Sequence, residues 1–226
     1  MGVSVGSSIY NAPSVYESGA GGGGGGDEGL PVGEIVEFPS GYTPLEKIVF
    51  EGRLGEGITI PFTGYRSGFN TTENTVQLTA KVYNNTSPVT FFLFDPLSPR
   101  NSLTFNGYTY CTAFSNGVSN GIFIDCQDEI KEKFNISFTY NRFVLNNQIE
   151  SKSYLTTINT VDKLYIGQYS TGSNINVDLM EVYSVKIYNP NNNMIFFGVP
   201  AFDEANQIDG LLDLITNEFF PHFWRT

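Results

Sequence analysis

The sequence predicts an all-β protein built as a sandwich of antiparallel strands. Charged residues make up only 15% of the chain and aromatic residues also reach 15%, a balance that favours strands over the Lys- and Glu-rich surfaces of helices. From Leu45 onward, short runs rich in Val, Ile, Thr, Tyr and Phe alternate with clusters of Gly, Asn, Pro and Ser. This spacing of strands and turns is typical of a sandwich.

The predicted strands follow one another closely along the chain. They lie near residues 46–50, 58–62, 75–83, 89–94, 102–105, 108–115, 121–126, 134–140, 143–145, 163–168 and 179–188. The third of these strands alternates with a period of two, which assigns Tyr83 and Lys81 to the outer face. Its other face, which we expect to be buried, carries Val76, Leu78, Ala80 and Val82.

The clearest hairpin is predicted between Tyr108 and Cys126. If Asn116 pairs with Gly121 across a four-residue loop, Cys111 lies directly opposite Cys126 on the neighbouring strand. That register allows a disulfide, but synthesis in the cytosol favours two reduced thiols, which pack as small apolar groups.

A second hairpin is predicted from Phe134–Tyr140 and Arg142–Leu145, because asparagine, a turn-forming residue, stands at both bends. Two short stretches favour helix instead of strand. They lie near Asp128–Glu132 and Gly210–Thr216.

The N-terminal segment differs in composition from the remainder of the chain. Six consecutive glycines, Gly21 to Gly26, predict a flexible joint, because glycine loses the most backbone freedom on ordering. We divide the chain into an arm with its hinge (1–29), a linker (30–44) and a β-sandwich domain (45–226). The apolar residues of the arm indicate either an unstructured leader or a docking peptide that orders on a partner. These residues are Ile9, Tyr10, Val15 and Tyr16.

Charge and hydropathy argue against two classes of partner. The net charge of −11, with basic residues scattered singly, would repel a phosphate backbone, so we expect no nucleic acid. The glycine tract is followed by Asp27 and Glu28, which argues against a phosphate-binding loop. Residues 1–26 lack a basic and apolar leader, and no apolar run reaches the roughly 18 residues that span a bilayer. We therefore expect a protein made in the cytosol without membrane insertion.

Several segments in order resemble one family. The resemblance covers about residues 41–222 and rests on Gly41–Gly52, Phe138–Asn147, Leu164–Gly167, Glu181–Tyr188, Met194–Ala201 and Gly210–Phe220. These segments resemble the strands and turns of concanavalin A-like, laminin G-like domains, which implies a jelly-roll β-sandwich.

A domain of this kind on a short glycine-rich arm resembles phage virion proteins such as capsid decoration, head-fibre and tail-associated components. The resemblance implies a non-enzymatic structural protein of the virion, made in the host cytoplasm. It also implies other virion proteins as partners of the arm, and a homo-oligomeric or multivalent arrangement in the particle. Fold alone does not fix function, so two alternatives stay open. The first is a carbohydrate-binding adhesion module, and the second is a glycoside hydrolase of the same fold.

We predict no catalytic residues. The single histidine, His222, lies near the C-terminal end of the sequence, where we expect a catalytic base to be poorly held. Glycosidases of this fold carry two carboxylates on one strand, and the Glu-x-Asp-x-x-Glu pattern that would supply them is absent from the sequence.

Binding to host surface glycans would require exposed aromatic side chains on a rim or a concave face. The candidates are Tyr65, Tyr108, Tyr110, Tyr169 and Trp224.

No cofactor and no metal ligand is predicted, although the family resemblance leaves calcium open, because its relatives hold calcium through rim carboxylates and carbonyls. Oxygen-rich segments occur at Asn174–Asp178 and Asn189–Asn193. An acidic cluster, which we interpret as a solvated rim, is formed by Asp125, Asp128, Glu129 and Glu132.

Overall fold

The structure of the chain is a computed structural model. The residues that it describes are 9–11, 35–53, 55–61, 74–83, 88–93, 102–106, 110–113, 122–125, 132–139, 142–146, 148–151, 163–167 and 180–224.

The described residues form strands in three sheets, and every pairing is antiparallel. A two-stranded sheet pairs β1 (Ile9–Asn11) with β2 (Ile35–Glu37). A ten-stranded sheet contains β3 (Tyr42–Pro44), β4 (Ile48–Phe50), β6 (Thr75–Val82), β11 (Phe134–Thr139), β12 (Arg142–Leu145), β13 (Gln148–Ser151), β15 (Met180–Tyr188), β16 (Met194–Asp203), β17 (Ile208–Asp213) and β18 (Glu218–Pro221). A six-stranded sheet contains β5 (Ile58–Pro61), β7 (Pro88–Leu93), β8 (Ser102–Asn106), β9 (Tyr110–Ala113), β10 (Ile122–Asp125) and β14 (Lys163–Ile166).

The core lies between the two large sheets, which confirms the predicted all-β sandwich. Ile58 and Ile60 of the six-stranded sheet belong to one apolar cluster with Val182 and Ile187 of the ten-stranded sheet. In β6 every second residue is buried, so the side chains assigned to the core by the period-two pattern are confirmed there. Removing such side chains from water stabilises the fold by about 1.5 to 3 kcal/mol each.

The strand predicted near residues 46–50 fills a gap in the ten-stranded sheet. The first part of β15 pairs with β4 and its last part pairs with β16, while the far end of β16 pairs with β3. The strands β15 and β16 therefore diverge, and the segment from β3 to β4 lies between them. A bulge in β15 between Val182 and Ser184 accompanies this change of partner.

Strand β16 is buried on both faces, because a second apolar cluster covers its outer side. Phe196 packs into the main core, whereas Phe197 packs with Phe38 and Leu212 on the opposite face of the sheet. A strand covered on both sides has a continuous apolar sequence instead of an alternating one.

The helix predicted near Gly210–Thr216 is wrong. Residues 208–213 form β17, which pairs with β16 on one side and with β18 on the other. Asp213 then begins a tight turn that ends at Asn217, whose φ of 59° is left-handed. The apolar run Leu211–Leu212 resembles a helix segment locally, but pairing with two neighbouring strands decides its conformation. The other helix prediction, Asp128–Glu132, lies outside the described residues except for Glu132, which is in a bend.

The predicted register of the first hairpin is also wrong. Cys111 pairs with Ile124, and Ala113 with Ile122, so the pairing is shifted by two residues from the predicted one. A shift of two leaves every side chain on the same face of the sheet, so the alternation of residues could not distinguish these registers. Cys126 lies outside the described residues, and Cys111 does not face it in this register.

The second predicted hairpin is confirmed. Phe138 pairs with Phe143 and Thr139 with Arg142, so β11 and β12 are joined by two residues. At the next bend Asn146 has a φ of 49°, a left-handed conformation that asparagine tolerates better than most residues.

The N-terminal arm contributes a strand to the two-stranded sheet. Ile9 pairs with Glu37, and Tyr10 with Val36, so part of the arm lies against residues that we assigned to the linker. None of the described segments forms a helix long and apolar enough to cross a membrane.

Candidate functional site

The outermost strands of the two large sheets meet at one edge of the sandwich. Strand β5 ends the six-stranded sheet and β18 ends the ten-stranded sheet. Two backbone hydrogen bonds join them, from the N–H of Gly57 to the carbonyl of Phe223 at 2.8 Å and from the N–H of Phe223 to the carbonyl of Gly57 at 3.0 Å. The chain that follows β18 is therefore fixed at this edge.

Trp224 presents its indole at this edge and is 40% exposed. The guanidinium carbon of Arg53 lies 4.4 Å from the centre of the indole ring, and the ring of His222 meets it edge-on at 5.7 Å. Arg53 also forms an ion pair with Glu51. We call Glu51, Arg53, Asp209, His222 and Trp224 the edge site.

The loop that carries Arg53 is held by a buried carboxylate. Glu56 is only 1% exposed, and its two oxygens accept hydrogen bonds from the backbone N–H of Glu51 at 3.0 and 2.9 Å. Its Oε2 also accepts a bond from the backbone N–H of Arg53 at 2.8 Å. Such charge-assisted bonds are stronger than neutral ones, so Glu56 fixes the backbone beneath the edge site.

His222 is firmly held, so the expectation of a poorly held histidine is wrong. It is 2% exposed, and its ring packs against that of Phe50 at a distance of 4.5 Å between centres. Its Nδ1 lies 3.3 Å from Asp209 Oδ2. Its Nε2 lies 3.1 Å from Glu56 Oε1, although the angle of approach does not meet that of a hydrogen bond.

The position of His222 follows from strand pairing and not from its place in the sequence. β18 pairs with β17, and the backbone N–H of His222 donates to the carbonyl of Asp209 at 2.9 Å. The edge of the sheet thus brings this residue back into the protein interior.

The structure describes the side chain of only one predicted sugar-contact residue, Trp224. Tyr110 lies in β9, but its side chain is not among those described. Tyr65, Tyr108 and Tyr169 lie outside the described residues. Of the residues predicted to dock the arm, Ile9 and Tyr10 lie in β1, and Val15 and Tyr16 lie outside the described residues.

Of the two oxygen-rich segments considered for calcium, the structure describes one, Asn189–Asn193. Asn189 begins a turn in which its Oδ1 accepts bonds from the backbone N–H of Asn191 at 3.0 Å and of Asn193 at 2.9 Å. Asn174–Asp178 lies outside the described residues. Within the part of the chain that the structure describes, no group of three or more acidic, histidine or cysteine side chains could hold a metal ion.

The acidic cluster is only partly described. Glu132 is exposed and lies 3.9 Å from the ammonium of Lys81. Asp125 ends β10, whereas Asp128 and Glu129 lie outside the described residues.

A second group of polar side chains lies on the outer face of the ten-stranded sheet, the face turned away from the core. Glu181 of β15 is 3% exposed and forms an ion pair with Lys47. The hydroxyl of Tyr183 donates to Glu181 Oε2 at 2.6 Å, and Tyr83 also hydrogen bonds to this carboxylate. The ammonium of Lys133 lies 4.0 Å from the centre of the Tyr183 ring. We call these five residues the Glu181 cluster.

The pKa values of the Glu181 cluster reflect its hydrogen bonds. Burial raises the pKa of Glu181, but hydrogen bonds from Lys47, Tyr183 and Tyr83 outweigh burial and lower it below the ordinary value. Burial and the bond to Glu181 both raise the pKa of Tyr183. The bond to Glu181 is also the main cause of the raised pKa values of Lys47 and Tyr83. The cluster therefore stabilises the carboxylate of Glu181 in its charged form.

Sequence reasoning missed the Glu181 cluster, although part of the signal was available. The period-two pattern of β6 already assigned Tyr83 to the outer face. It could not show that β15 and β4 bring Glu181 and Lys47 beside it, because those pairings join distant parts of the sequence.

Comparisons with known proteins support the fold. No protein-family model matches the chain, and no curated protein matches it in sequence. A Trypanosoma rangeli sialidase in complex with sialic acid has a similar structure, with a TM-score of 0.50 and 15% identity over 68% of this chain. A mutant of the protein HCR/D aligns with a TM-score of 0.44 and 13% identity. The alignment covers 71% of this chain and 46% of that protein.

This chain spans 27% of the sialidase, so the similarity concerns a part of that protein. At 15% identity the likeness shows the β-sandwich fold alone. The sialidase is an enzyme, but a shared fold does not establish a shared activity. Our interpretation of this chain as non-enzymatic therefore stays a prediction.

Proposed function

We propose that the sandwich is a non-enzymatic carbohydrate-binding module and that the edge site is where it binds sugar. The observation that carries this proposal is Trp224, a large aromatic side chain that is 40% exposed and yet held in place by its neighbours. A single exposed apolar residue needs no explanation by itself, but an indole fixed among charged groups is a typical contact surface.

The chemistry of the edge site suits a sugar ring. The apolar C–H face of a pyranose stacks on an indole, and its hydroxyls form hydrogen bonds with nearby charged groups. Arg53, which lies over the Trp224 ring, supplies donors. Glu51, the ion-pair partner of Arg53, and Asp209, the partner of His222, supply acceptors. Because Glu56 fixes the loop of Arg53, these groups are positioned before a ligand arrives, which lowers the entropic cost of binding.

The geometry favours binding over cleavage. A glycosidase needs two carboxyl groups that reach the scissile bond, one of which donates a proton. Glu56 is 1% exposed and its oxygens already accept backbone hydrogen bonds, so it is badly placed to protonate a leaving group. Glycoside hydrolysis therefore remains the weaker alternative.

The test uses the fact that Trp224 is the only tryptophan of the chain. Its fluorescence reports on the edge site directly. We expect titration with a binding oligosaccharide to change the emission of Trp224, and we expect Trp224→Ala to abolish binding measured by calorimetry. The matched control is Ile215→Ala, which removes a large apolar side chain of similar exposure in the turn after β17. If an oligosaccharide that changes the emission of Trp224 still binds to Trp224→Ala with unchanged affinity, the proposal is contradicted.

We further propose that the N-terminal arm mounts this module on a larger assembly, and the family resemblance leads us to expect that this assembly is a phage virion. Multivalent display would strengthen weak sugar binding without any new contact. The described part of the arm, residues 9–11, pairs with β2 and with neither of the large sheets, so we expect a variant without residues 1–29 to keep its sandwich. We expect that variant to show an unchanged circular dichroism spectrum and to lose co-sedimentation with capsid shells. Equal co-sedimentation of both proteins would contradict the docking role of the arm.

A further inference from the structure

The outer face of the ten-stranded sheet brings three lysines together in a chain that has only 12 Lys and Arg residues against 23 Asp and Glu residues. Three lysines lie around Glu181 there. Lys81 belongs to β6, while Lys47 directly precedes β4 and Lys133 directly precedes β11. In an acidic protein, a local group of lysines around aromatic rings calls for a physical explanation.

Glu181 does not neutralise all three lysines. Its carboxylate is occupied by Lys47, Tyr183 and Tyr83. Lys81 lies directly opposite Glu181 in the register of β6 and β15, where a cross-strand ion pair would be expected. The ammonium of Lys81 instead lies 5.0 Å from the centre of the Tyr83 ring.

The remaining contacts of Lys81 and Lys133 leave their charges available. Lys81 is 3.9 Å from Glu132, which is exposed, and an exposed pair at this distance contributes little free energy. Among the residues that the structure describes, no carboxylate lies within ion-pair distance of Lys133. Burial lowers the pKa of Lys133, and the more distant Glu46 acts in the opposite direction. Lys133 is thus a partly desolvated cation that would gain from an anionic ligand.

The strands beneath these side chains offer no free backbone to a ligand. Strand β6 is paired on both sides, with β11 and β15, and β15 is paired with β6 and with β4 or β16. A peptide could not add to them as a further strand, so recognition must come from side chains. Flat aromatic rings beside cations fit a sugar ring that carries a carboxylate better than they fit an extended peptide.

We propose that the outer face of the ten-stranded sheet carries a second binding site, in which Lys81 and Lys133 bind the carboxylates of an acidic saccharide beside Tyr83 and Tyr183. Glu181 acts as a positioning residue, because its carboxylate accepts hydrogen bonds from the two tyrosine hydroxyls, and Lys47 forms an ion pair with that carboxylate. This site is separate from the edge site and does not depend on Trp224, so the two can fail independently.

The test measures binding of four acidic oligosaccharides to the full chain by calorimetry at low ionic strength. The probes are oligogalacturonate, oligomannuronate, hyaluronan oligosaccharide and oligosialic acid, and methyl-esterified oligogalacturonate serves as the uncharged counterpart of the first. We expect at least one acidic probe to bind and its uncharged counterpart to bind much more weakly. We expect the double variant Lys81→Gln, Lys133→Gln to lose roughly tenfold or more in affinity, because two charge-assisted bonds are removed.

The matched control is Lys186→Gln. Lys186 lies on the same face, and its ammonium is likewise 5.0 Å from an aromatic ring, that of Phe197, but it lies outside the Glu181 cluster. We expect this variant to bind the acidic probe as the unchanged protein does.

Three results would overturn the proposal. The first is that none of the four acidic probes binds. The second is that the control Lys186→Gln weakens binding as much as the double variant Lys81→Gln, Lys133→Gln does. The third is that polyglutamate binds more tightly than every saccharide through Lys81 and Lys133, which would assign the face to an acidic protein partner. Sugar binding that is lost only in Trp224→Ala would keep the edge site and remove this one.

Discussion

Among the residues that the structure describes, two glutamates are buried, Glu56 at the sandwich edge and Glu181 on the outer face of the large sheet, and their carboxylates have different hydrogen-bond partners. Glu56 accepts bonds from backbone N–H groups of its own loop, whereas Glu181 accepts bonds from the side chains of Lys47, Tyr83 and Tyr183. The first arrangement fixes a backbone, and the second fixes side chains that face solvent. The comparison teaches that one buried carboxylate mainly supports the fold, while the other mainly supports a surface.

The largest expected effect follows from removing the carboxylate of Glu56. Glu56→Ala leaves the backbone N–H groups of Glu51 and Arg53 without the part-buried carboxylate acceptor that they share. Because each donor left without a partner costs about 1 to 3 kcal/mol, we expect a loss of about 2 to 5 kcal/mol in the free energy of unfolding, measured by urea denaturation. Glu51→Ala, which removes an exposed carboxylate two residues from Arg53, is the control and should cost less than about 1 kcal/mol.

Glu181→Ala should lower the stability less than Glu56→Ala does, and it should weaken the binding of the acidic probe more. In Glu181→Ala the side chains of Lys47, Tyr83 and Tyr183 can turn toward water, so we expect a loss of about 1 to 3 kcal/mol in urea denaturation. We also expect weaker binding of the acidic probe, because the tyrosines are no longer held. A stability loss equal to that of Glu56→Ala would erase the distinction between the two glutamates.

The acid limb of the stability curve sharpens the comparison. The hydrogen bonds of Glu181 lower its pKa from the ordinary 4.5 despite burial, which acts in the opposite direction. Its charge therefore stabilises the fold fully above pH 4.5, and this stabilisation is lost as the pH falls through the lower pKa of the folded state. In Glu181→Ala the slope below that pH should decrease by up to about 1.4 kcal/mol per pH unit. An unchanged slope would contradict the role given to these bonds.

The alkaline limb tests the tyrosine partner. Burial and the bond to Glu181 raise the pKa of Tyr183 above the ordinary 10.0. A group with a raised pKa stabilises the fold fully below its unfolded pKa, and the effect is lost as the pH rises toward the folded pKa. Tyr183→Phe should therefore flatten the decline in stability above pH 10.0, measured by urea denaturation across the alkaline range. An identical decline in both proteins would argue against this bond.

The smallest effect is expected for Arg53→Ala at the edge site. Arg53 is an exposed cation over Trp224, so its removal should cost less than about 1 kcal/mol of stability. The emission of Trp224 should nevertheless shift, because one face of the indole becomes more exposed to water. A fluorescence spectrum that does not change would mean that Arg53 does not cover the ring in solution.

The fold could be predicted well where one face of a strand is buried. In β6 the alternation of apolar and polar residues fixed both the strand and its core face, and β11 with β12 followed from two asparagine-containing bends. Strand β17 could not be predicted in this way, because both faces of the sheet are covered there: Leu211 packs into the main core and Leu212 into the second apolar cluster, so the run carries no period of two. The cysteine hairpin failed for another reason, because a shift of two residues preserves every face.

The sites were harder to predict than the fold. The exposure of Trp224 was expected, but its support comes from Arg53 and Glu56, which are distant in sequence and arrive through the bridge between Gly57 and Phe223. His222 was misjudged because its place in the sequence says nothing about the pairing that returns it to the interior. The arm and the division into domains remain predictions.

The central claim is that the sandwich carries two separate sugar-binding sites, and a glycan array read with three proteins tests it most directly. The three are the unchanged chain, Trp224→Ala, and the double variant Lys81→Gln, Lys133→Gln. We predict that the unchanged chain binds two sets of glycans, that Trp224→Ala loses one set, and that the lysine variant loses the other, which is acidic. If the unchanged chain binds no glycan, or if both variants retain every glycan it binds, the claim is wrong.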